Sequence, residues 1–516
     1  MKTCLINPVI DGYDLEGPRN DAAQNDLCHL GIGYIAAAVE ARGFDVDIIE
    51  CTENRITMYR LLDILTNEAY RMIGISVYSY NLKNTVALVK RIRRYLPDAF
   101  IFLGGYLPTL KSKLMFRLMP EIDCCVHGEG EYTVAELVEA VSGKRNWREI
   151  PGVVNKDQNI IKESAKREFI PDLDRLPFPK RTSISGKAAS IITSRGCYGK
   201  CNFCSAPQFY TSCPGELLRF RSPSNVVDEI QYLVENHEVD FIKINDDNFM
   251  FSTPKRRLWI EEFYNLIKDR GIDVSFRIMI RANEVVKNRE ILLKLKDIGL
   301  KYLFIGVESF VQRQLDFYNK KINVETNIKA LEDARSIGLK IRLGYIMLDP
   351  FTSLDEIIEN IRILKETMFY NMVIDEHELV SCMIPLTPLL GSNFYDMMES
   401  SKLLIIGSEL RYNFADPEVD LFYKVLKDWQ GKVFHINKKS RIITGVSKTS
   451  RETANLLYNE KVKLFEIDLS FMEELAQSLK NNGMDYAGCR ELIDRWAPLA
   501  LQVEKVFEAY ESDGGW

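Results

Sequence analysis

The feature that most limits the fold is an alternation of short apolar runs with helical segments. It occurs twice, on either side of a proline-punctuated stretch. In residues 1–148, Cys4–Asn7, Val46–Glu50, Met72–Val77, Ala99–Leu103 and Cys124–Val126 read as strands. Gly31–Arg42, Leu82–Tyr95 and Val134–Val141 carry helical spacing between them, with Gly43 and Pro97 as stops. Such alternation predicts an α/β fold with a doubly wound, Rossmann-like parallel sheet that takes ligands at the carboxyl ends of its strands.

Residues 149–187 carry Pro151, Pro171, Pro177 and Pro179 in a polar setting and read as a linker over the surface. Residues 188–400 resume the alternation. Strands are expected at Ser190–Thr193, Phe241–Asn245, Ser275–Ile280, Tyr302–Val307, Lys340–Met347 and Glu378–Met383. Helices fall at Asn225–Glu235, Leu258–Arg270 and Asn288–Ile298. Six such units predict a partial TIM-like (β/α)6 barrel. Residues 401–516 form a helical C-terminal region without a readable motif.

At 516 residues the chain is too long for one core. Its 67 Lys plus Arg against 73 Asp plus Glu give a net charge of −6, no support for a nucleic-acid binder. No run approaches the roughly 20 apolar residues of a membrane span, and the start lacks a signal-peptide stretch. A cytoplasmic location is expected, where the 11 cysteines are thiols or metal ligands rather than disulfides.

The most informative cysteines are Cys197, Cys201 and Cys204, spaced C-x3-C-x2-C on the loop leaving the first barrel strand. Three thiolates can hold three irons of a [4Fe–4S] cluster and leave the fourth open. The bland reading is a zinc site or buried thiols. Structural zinc wants four ligands, and the nearest further cysteine is Cys213.

With Phe203 between Cys201 and Cys204, the stretch resembles the motif of the radical S-adenosylmethionine (SAM) enzymes. The resemblance implies that SAM chelates the open iron and is cleaved by one electron to a 5′-deoxyadenosyl radical. It further implies SAM contacts from Phe203, from Asp246 and Asn248 after the second strand, from Arg281 after the third, and from Glu308 after the fourth. The bland alternatives are capping by Asp246, Asp247 or Asn248, and a salt bridge from Glu308 to Arg281 or Arg277.

The first domain extends the likeness. Ser76, Tyr78, Ser79, Tyr80 and Asn81 follow one strand; Gly104, Gly105 and Tyr106 follow the next; Glu129 and Gly130 sit in a Gly-Glu-Gly-Glu turn. Glycines allow close backbone approach to a ligand. This order ahead of the cysteines is similar to the cobalamin-binding radical SAM enzymes. It implies cobalamin held by these ten residues, its nucleotide tail in the sheet domain and its corrin facing the barrel. The family's D-x-H-x-x-G motif is missing, so cobalt is expected to lack a protein histidine. His29 reads as a local hydrogen-bonding residue, and His127 as a hydrogen-bonding partner either of a cofactor amide or ribose or of its own loop.

The activity implied is a cobalamin-dependent radical SAM methyltransferase. One SAM supplies a methyl group to cobalamin, and a second supplies the radical that activates a substrate carbon, which takes the methyl from methylcobalamin. The substrate is not readable; with the acidic balance against a nucleic acid, a small molecule or a carrier-protein-tethered intermediate is the default expectation, with an external electron donor of flavodoxin or ferredoxin type. A cyclase or rearrangement enzyme with the same cofactors, a methylthiotransferase and a non-catalytic corrinoid-binding protein stand as alternatives. General acid and base residues are not readable.

Overall fold

A computed structural model describes residues 2–13, 29–158, 160–182, 184, 187–367, 385–405, 411–444 and 451–512. The expected strand at Glu378–Met383 lies outside the described residues, as do Cys28 and Cys382.

The first sheet contains β1 (Thr3–Asn7), β2 (Val46–Glu50), β3 (Met72–Ser76), β4 (Phe100–Gly104), β5 (Cys124–Val126), β6 (Val153–Asp157) and β7 (Ile160–Glu163). Their spatial order is β2-β1-β3-β4-β5-β6-β7. The first five run parallel. β3 is buried along its whole length, so its unbroken apolar run could only be a central strand. The chain order reverses between β1 and β3, which opens a crevice above their carboxyl ends. Helices α1 (Leu30–Glu40) and α6 (Glu131–Ser142) cover one face, through Ile32, Ala36, Val39, Val134 and Val138. Helices α2 (Met58–Asn67) and α3 (Leu82–Tyr95) cover the other, through Leu61, Leu65, Leu88 and Ile92.

The stretch read as a surface linker is a correction. β6 pairs antiparallel with β5, and β7 with β6, so this segment closes the sheet edge. Past the hairpin, Phe169, Ile170, Leu173 and Leu176 are buried. Apolar side chains spaced among prolines strap the two domains together, because burying them removes their surface from water. The Lys180 N–H donates to the Gly33 carbonyl at 3.0 Å. A Cβ at Gly33 would stand 2.7 Å from the Lys180 carbonyl oxygen, so the strap needs glycine there.

The second sheet is parallel, with chain neighbours adjacent: β8 (Ala188–Ile191), β11 (Phe241–Ile244), β12 (Ser275–Arg281), β13 (Leu300–Glu308) and β14 (Lys340–Tyr345). Between β8 and β11, β9 (Ser194–Arg195) pairs antiparallel with β10 (Arg219–Phe220). Sequential parallel strands with helices outside are the start of a barrel, whose carboxyl ends carry the site. Three long helices, Pro417–Thr444, Arg451–Asn482 and Tyr486–Ser512, pack on one another, and the second lies against the helix Leu354–Thr367. No helix among the described residues is long and apolar enough to cross a membrane.

Candidate active site

The cysteine loop is built by an aspartate. Asp246 leaves β11 and is 1% exposed. It accepts hydrogen bonds from the backbone N–H groups of Thr193 at 2.6 Å and Ser194 at 3.1 Å, and from both of their hydroxyls. Arg256, fully buried, stands 3.8 Å from it as its charge partner, and burial lowers the guanidinium pKa to about 10. Two residues after Ser194, Gly196 takes φ +104°, and a Cβ there would collide with the Leu217 carbonyl. The chain is thereby turned into Cys197.

The three thiols share one loop, and each meets a donor. The Gly199 N–H points at Cys197 Sγ (3.3 Å), the Ala206 N–H at Cys204 Sγ (3.4 Å), and Arg281 Nη1 at Cys201 Sγ (3.4 Å). Burial pushes the Cys204 thiol up to about 12 and raises that of Cys197, so iron must displace their protons. Among the described residues no three Cys, His, Asp or Glu side chains converge on a single ion. Three spaced thiols with N–H donors fit a cluster, whose irons take one thiolate each. Cys213 is set apart: its Sγ would lie 2.7 Å from a Cβ on Gly128.

The residues expected around SAM divide. Asp246 spends both oxygens on the loop. Asn248 donates to the Met250 carbonyl and accepts from the Arg281 N–H at 3.1 Å, so it too is engaged within the protein. Arg281 bridges Cys201 to the Lys320 carbonyl. Glu308, at φ +66°, pairs with Lys320 at 2.5 Å in a buried setting. Its partner is therefore neither Arg281 nor Arg277. Phe203 meets Tyr318 edge-on at 5.8 Å.

Between the two sheets lies a cavity of about 280 Å³. One end is an apolar slot between the first sheet and α1 and α6, lined by Leu5, Gly74, Phe102, Ile35 and Val134. The other end reaches Ser194, Arg195, Tyr210 and Asp247 beside the cysteine loop. Gly74, Gly104 and Gly105 leave backbone open to a ligand at the apolar end, and Ser194, Arg195 and Asp247 offer polar groups at the other, a lining whose chemistry fits the tail and the corrin amides of cobalamin. Gly74 is needed here, since a Cβ on it would strike Phe102 at 2.3 Å and Leu5 at 2.7 Å.

Of the ten residues expected to hold cobalamin, Ser76, Tyr78, Gly104, Gly105, Tyr106, Glu129 and Gly130 line the cavity. Tyr106 packs on Phe209 of helix α7 (Ala206–Tyr210) at 4.6 Å, joining the first domain to the cysteine loop. Ser79, Tyr80 and Asn81 stand outside the lining. The Ser79 hydroxyl accepts from the Leu390 N–H, Tyr80 stacks behind Tyr78 at 5.1 Å, and buried Asn81 ties Tyr78 N–H to the Ser76 carbonyl. Glu129 lines the cavity but is occupied by Arg195, Arg219 and the Ile170 N–H. Burial works against its charge, yet Arg195 and Arg219 hold its carboxyl below the usual range. Together with the Glu131–Arg195 pair at 2.6 Å, it clamps the domains.

His29 lines the cavity at the start of α1. Its Nδ1 accepts from the Ile32 N–H at 3.3 Å, and burial lowers its pKa to about 4. A neutral ring accepting at Nδ1 carries its proton on Nε2, which then donates and cannot ligate a metal. His127 Nε2 is buried without a partner.

Sequence reasoning does not single out Gly74 or Arg195, and it takes Asp247 only together with Asp246 and Asn248. Glycine inside a strand was the available signal for the first. For Asp247, which accepts from Tyr210 OH at 2.9 Å, only its place in the same polar turn as Asp246 was visible.

Two family models match the chain: the B12 binding domain over residues 19–138 and the radical SAM superfamily over residues 191–373. The chain is 26% identical over 400 residues to an uncharacterized methyltransferase of Pyrococcus horikoshii, covering 76% of this chain and 83% of that one. It is 27% identical over 410 residues to the anaerobic magnesium-protoporphyrin IX monomethyl ester cyclase of Rubrivivax gelatinosus, covering 75% and 68%. The fold matches that of the cobalamin-dependent SAM radical enzyme OxsB, solved with aqua-cobalamin and SAM bound. The TM-score is 0.79 at 17% identity, over 99% of this chain and 81% of that one.

Proposed function

We propose, from the premise that this chain belongs to the cobalamin-binding radical SAM enzymes, that it methylates an unactivated carbon of a small-molecule or carrier-tethered intermediate. The observation that carries this reading is the continuity of the cavity. It runs from the slot under α1 and α6, past Tyr78 and Tyr106, to Asp247 and Tyr210 at the cysteine loop. A substrate in its mouth meets both domains at once.

When bound, the cofactors supply a 5′-deoxyadenosyl radical from SAM at the [4Fe–4S] cluster and a transferable methyl group on cobalamin. The protein binds, orients and excludes water. Cys197, Cys201 and Cys204 hold the cluster, and Arg281 orients Cys201. Glu308 and Lys320 present a buried ion pair at the end of β13, where a SAM ammonium or ribose hydroxyl can join it. Asp246 and Asn248 act as positioning residues. Residues 1–148, with β6 and β7 added, form the cobalamin cradle; residues 188–400 form the radical domain. Tyr78, Tyr106 and Phe209 wall the mouth, and the Glu129–Arg195–Arg219 clamp fixes the distance between the domains.

A cyclase with the same cofactors is the second reading, favoured by the relative of that name. Anaerobic turnover with candidate substrates separates the two. Methylation yields S-adenosylhomocysteine and 5′-deoxyadenosine with each product and adds a methylene to its mass. Cyclisation yields 5′-deoxyadenosine alone.

A further inference from the structure

One short segment, residues 386–394, belongs to both hydrophobic cores. Leu386 and Phe394 are buried in the core of the barrel domain, while Leu390, four residues from each, is buried in the core of the first domain. The backbone makes the same crossing. The Leu390 N–H donates to the Ser79 hydroxyl at 3.1 Å, and the Phe394 N–H donates to the Asn202 carbonyl at 2.8 Å. Asn202 stands between Cys201 and Cys204. Its own N–H donates to the Tyr318 carbonyl at 3.0 Å, and its side-chain amide donates to the Phe317 carbonyl at 2.7 Å. The middle of the cysteine loop is thus tied to the barrel and to this segment at once.

Four residues of chain reach at most ~14 Å, so the turn after β3 and the cysteine loop hang on a short tether. The tether turns at Gly391. Its φ is +86°, and a Cβ there would stand 2.7 Å from Leu110 Cδ1. Leu110 ends the helix Tyr106–Leu110, whose first residue lines the cavity. Glycine is required twice, for the left-handed turn and for the close approach. Asp396 also pairs with Lys111 of the first domain at 3.1 Å, a largely solvated bridge that adds little. The clamp at Glu129 joins the domains through β9 and β10, whereas this segment joins them through the cysteine loop itself.

We propose that residues 386–394 are a staple that sets the first domain against the cysteine loop, and that Ser79 and Gly391 are positioning residues for methyl transfer from SAM to cobalamin. The inference rests on the methyltransferase reading. The two reactions of SAM make different demands on the staple. Reductive cleavage takes place at the cluster, within the barrel domain. Methyl transfer needs the sulfonium methyl and the cobalt in line across the two domains, and a misplacement on the order of 1 Å costs roughly a hundredfold. A loosened staple therefore depresses methyl transfer and spares cleavage.

The test uses the full chain with its cluster reconstituted and cobalamin loaded, and reads initial rates of S-adenosylhomocysteine and 5′-deoxyadenosine formation without substrate. Gly391→Ala should lower the ratio of the first to the second about 10- to 100-fold, with the 5′-deoxyadenosine rate near wild type. G391A/L110A, which restores the room, should recover part of that ratio. Ser79→Ala should lower the ratio roughly three- to tenfold, the effect of one lost hydrogen bond, and Ser79→Thr, which keeps a hydroxyl, should match wild type. EPR of protein holding cob(II)alamin and a reduced cluster reads the spacing directly: the spin–spin splitting should be sharp in wild type and shifted or blurred in Gly391→Ala. If Gly391→Ala does not fold, the Ser79 pair decides. An unchanged ratio and splitting in Gly391→Ala, both rates falling together with thermal stability, or Ser79→Thr failing like Ser79→Ala overturns the proposal. Absence of S-adenosylhomocysteine from wild type would instead overturn the methyltransferase reading, and the splitting in Gly391→Ala would still decide the staple.

Discussion

Replacing Asp246 separates a residue that builds the site from one that touches SAM. In Asp246→Ala, buried Arg256 loses its charge partner, 3.8 Å away. Leaving one member of a buried ion pair uncompensated costs about 3–5 kcal/mol. The N–H groups of Thr193 and Ser194 also lose their acceptor, at about 1–3 kcal/mol for each buried donor left unmet. The two costs share one site and overlap, so a loss of about 4–6 kcal/mol is expected. Asp246→Asn keeps an acceptor for the N–H groups and should lose about half as much. Urea unfolding of the apo chain, followed by tryptophan fluorescence, measures this; Trp259 lies 4.1 Å from the Arg256 guanidinium and reports on the site. Iron per chain after anaerobic reconstitution should fall in parallel, because Thr193 and Ser194 lead directly into Cys197. An Asp246→Ala protein as stable as wild type, with full iron but weakened SAM binding, would refute the reasoning and make the carboxylate a SAM contact.

Cys201→Ala should lose SAM cleavage and most of its iron, whereas Cys213→Ala and Cys489→Ala should keep both, as iron assay and 5′-deoxyadenosine quantitation will show. His29→Ala should retain cobalamin, since Nδ1 is spent on the Ile32 N–H, while losing about 1 kcal/mol of stability with the helix cap; loss of the cofactor, or nitrogen coupling from the protein in the cob(II)alamin EPR spectrum, would reverse this. Asp468 is fully buried against Trp429 Nε1–H at 2.8 Å, and burial pushes its pKa from the usual 3.8 up to about 7. The folded state therefore holds a proton that the unfolded state releases, so the stability contributed by Asp468 is fully present below pH 4 and is lost as pH rises to 7, by roughly 4 kcal/mol. Asp468→Asn should match wild type near pH 4 and exceed it at pH 8; parallel pH curves would show that Asp468 is ionised in the fold.

What the sequence made legible was chemistry carried by local pattern. The parallel strands of both sheets stand as short, mostly apolar or alternating runs, and the cysteine spacing is read along one loop. The hairpin Val153–Glu163 was obscured because its strands are short, turn at Gln158 (φ 46°) and lie among prolines that suggest a linker. Its pairing with β5 is a tertiary fact. The SAM residues show a second limit. Asp246, Asn248 and Glu308 are polar groups at strand ends, as expected of ligand contacts. Whether their lone pairs are already spent depends on Thr193, Ser194, Arg281 and Lys320, which come from other strands and loops. Ser79 and Asn81 fell short for the same reason: a polar residue after a strand serves the turn as readily as a ligand. The apolar slot holding Gly74 has no local signature beyond a glycine inside a strand.

If one cavity serves both the SAM side and the cobalamin side for methyl transfer, SAM must reach the bound cobalamin. It is tested most directly without any substrate. Reconstituted, cobalamin-loaded protein is reduced and given SAM carrying a deuterated methyl group in a single-turnover experiment, and the cobalamin is analysed by mass spectrometry. The label should appear on the bound cobalamin, with one S-adenosylhomocysteine formed per cobalamin. Bound, reduced cobalamin that remains unlabelled while 5′-deoxyadenosine accumulates would contradict it.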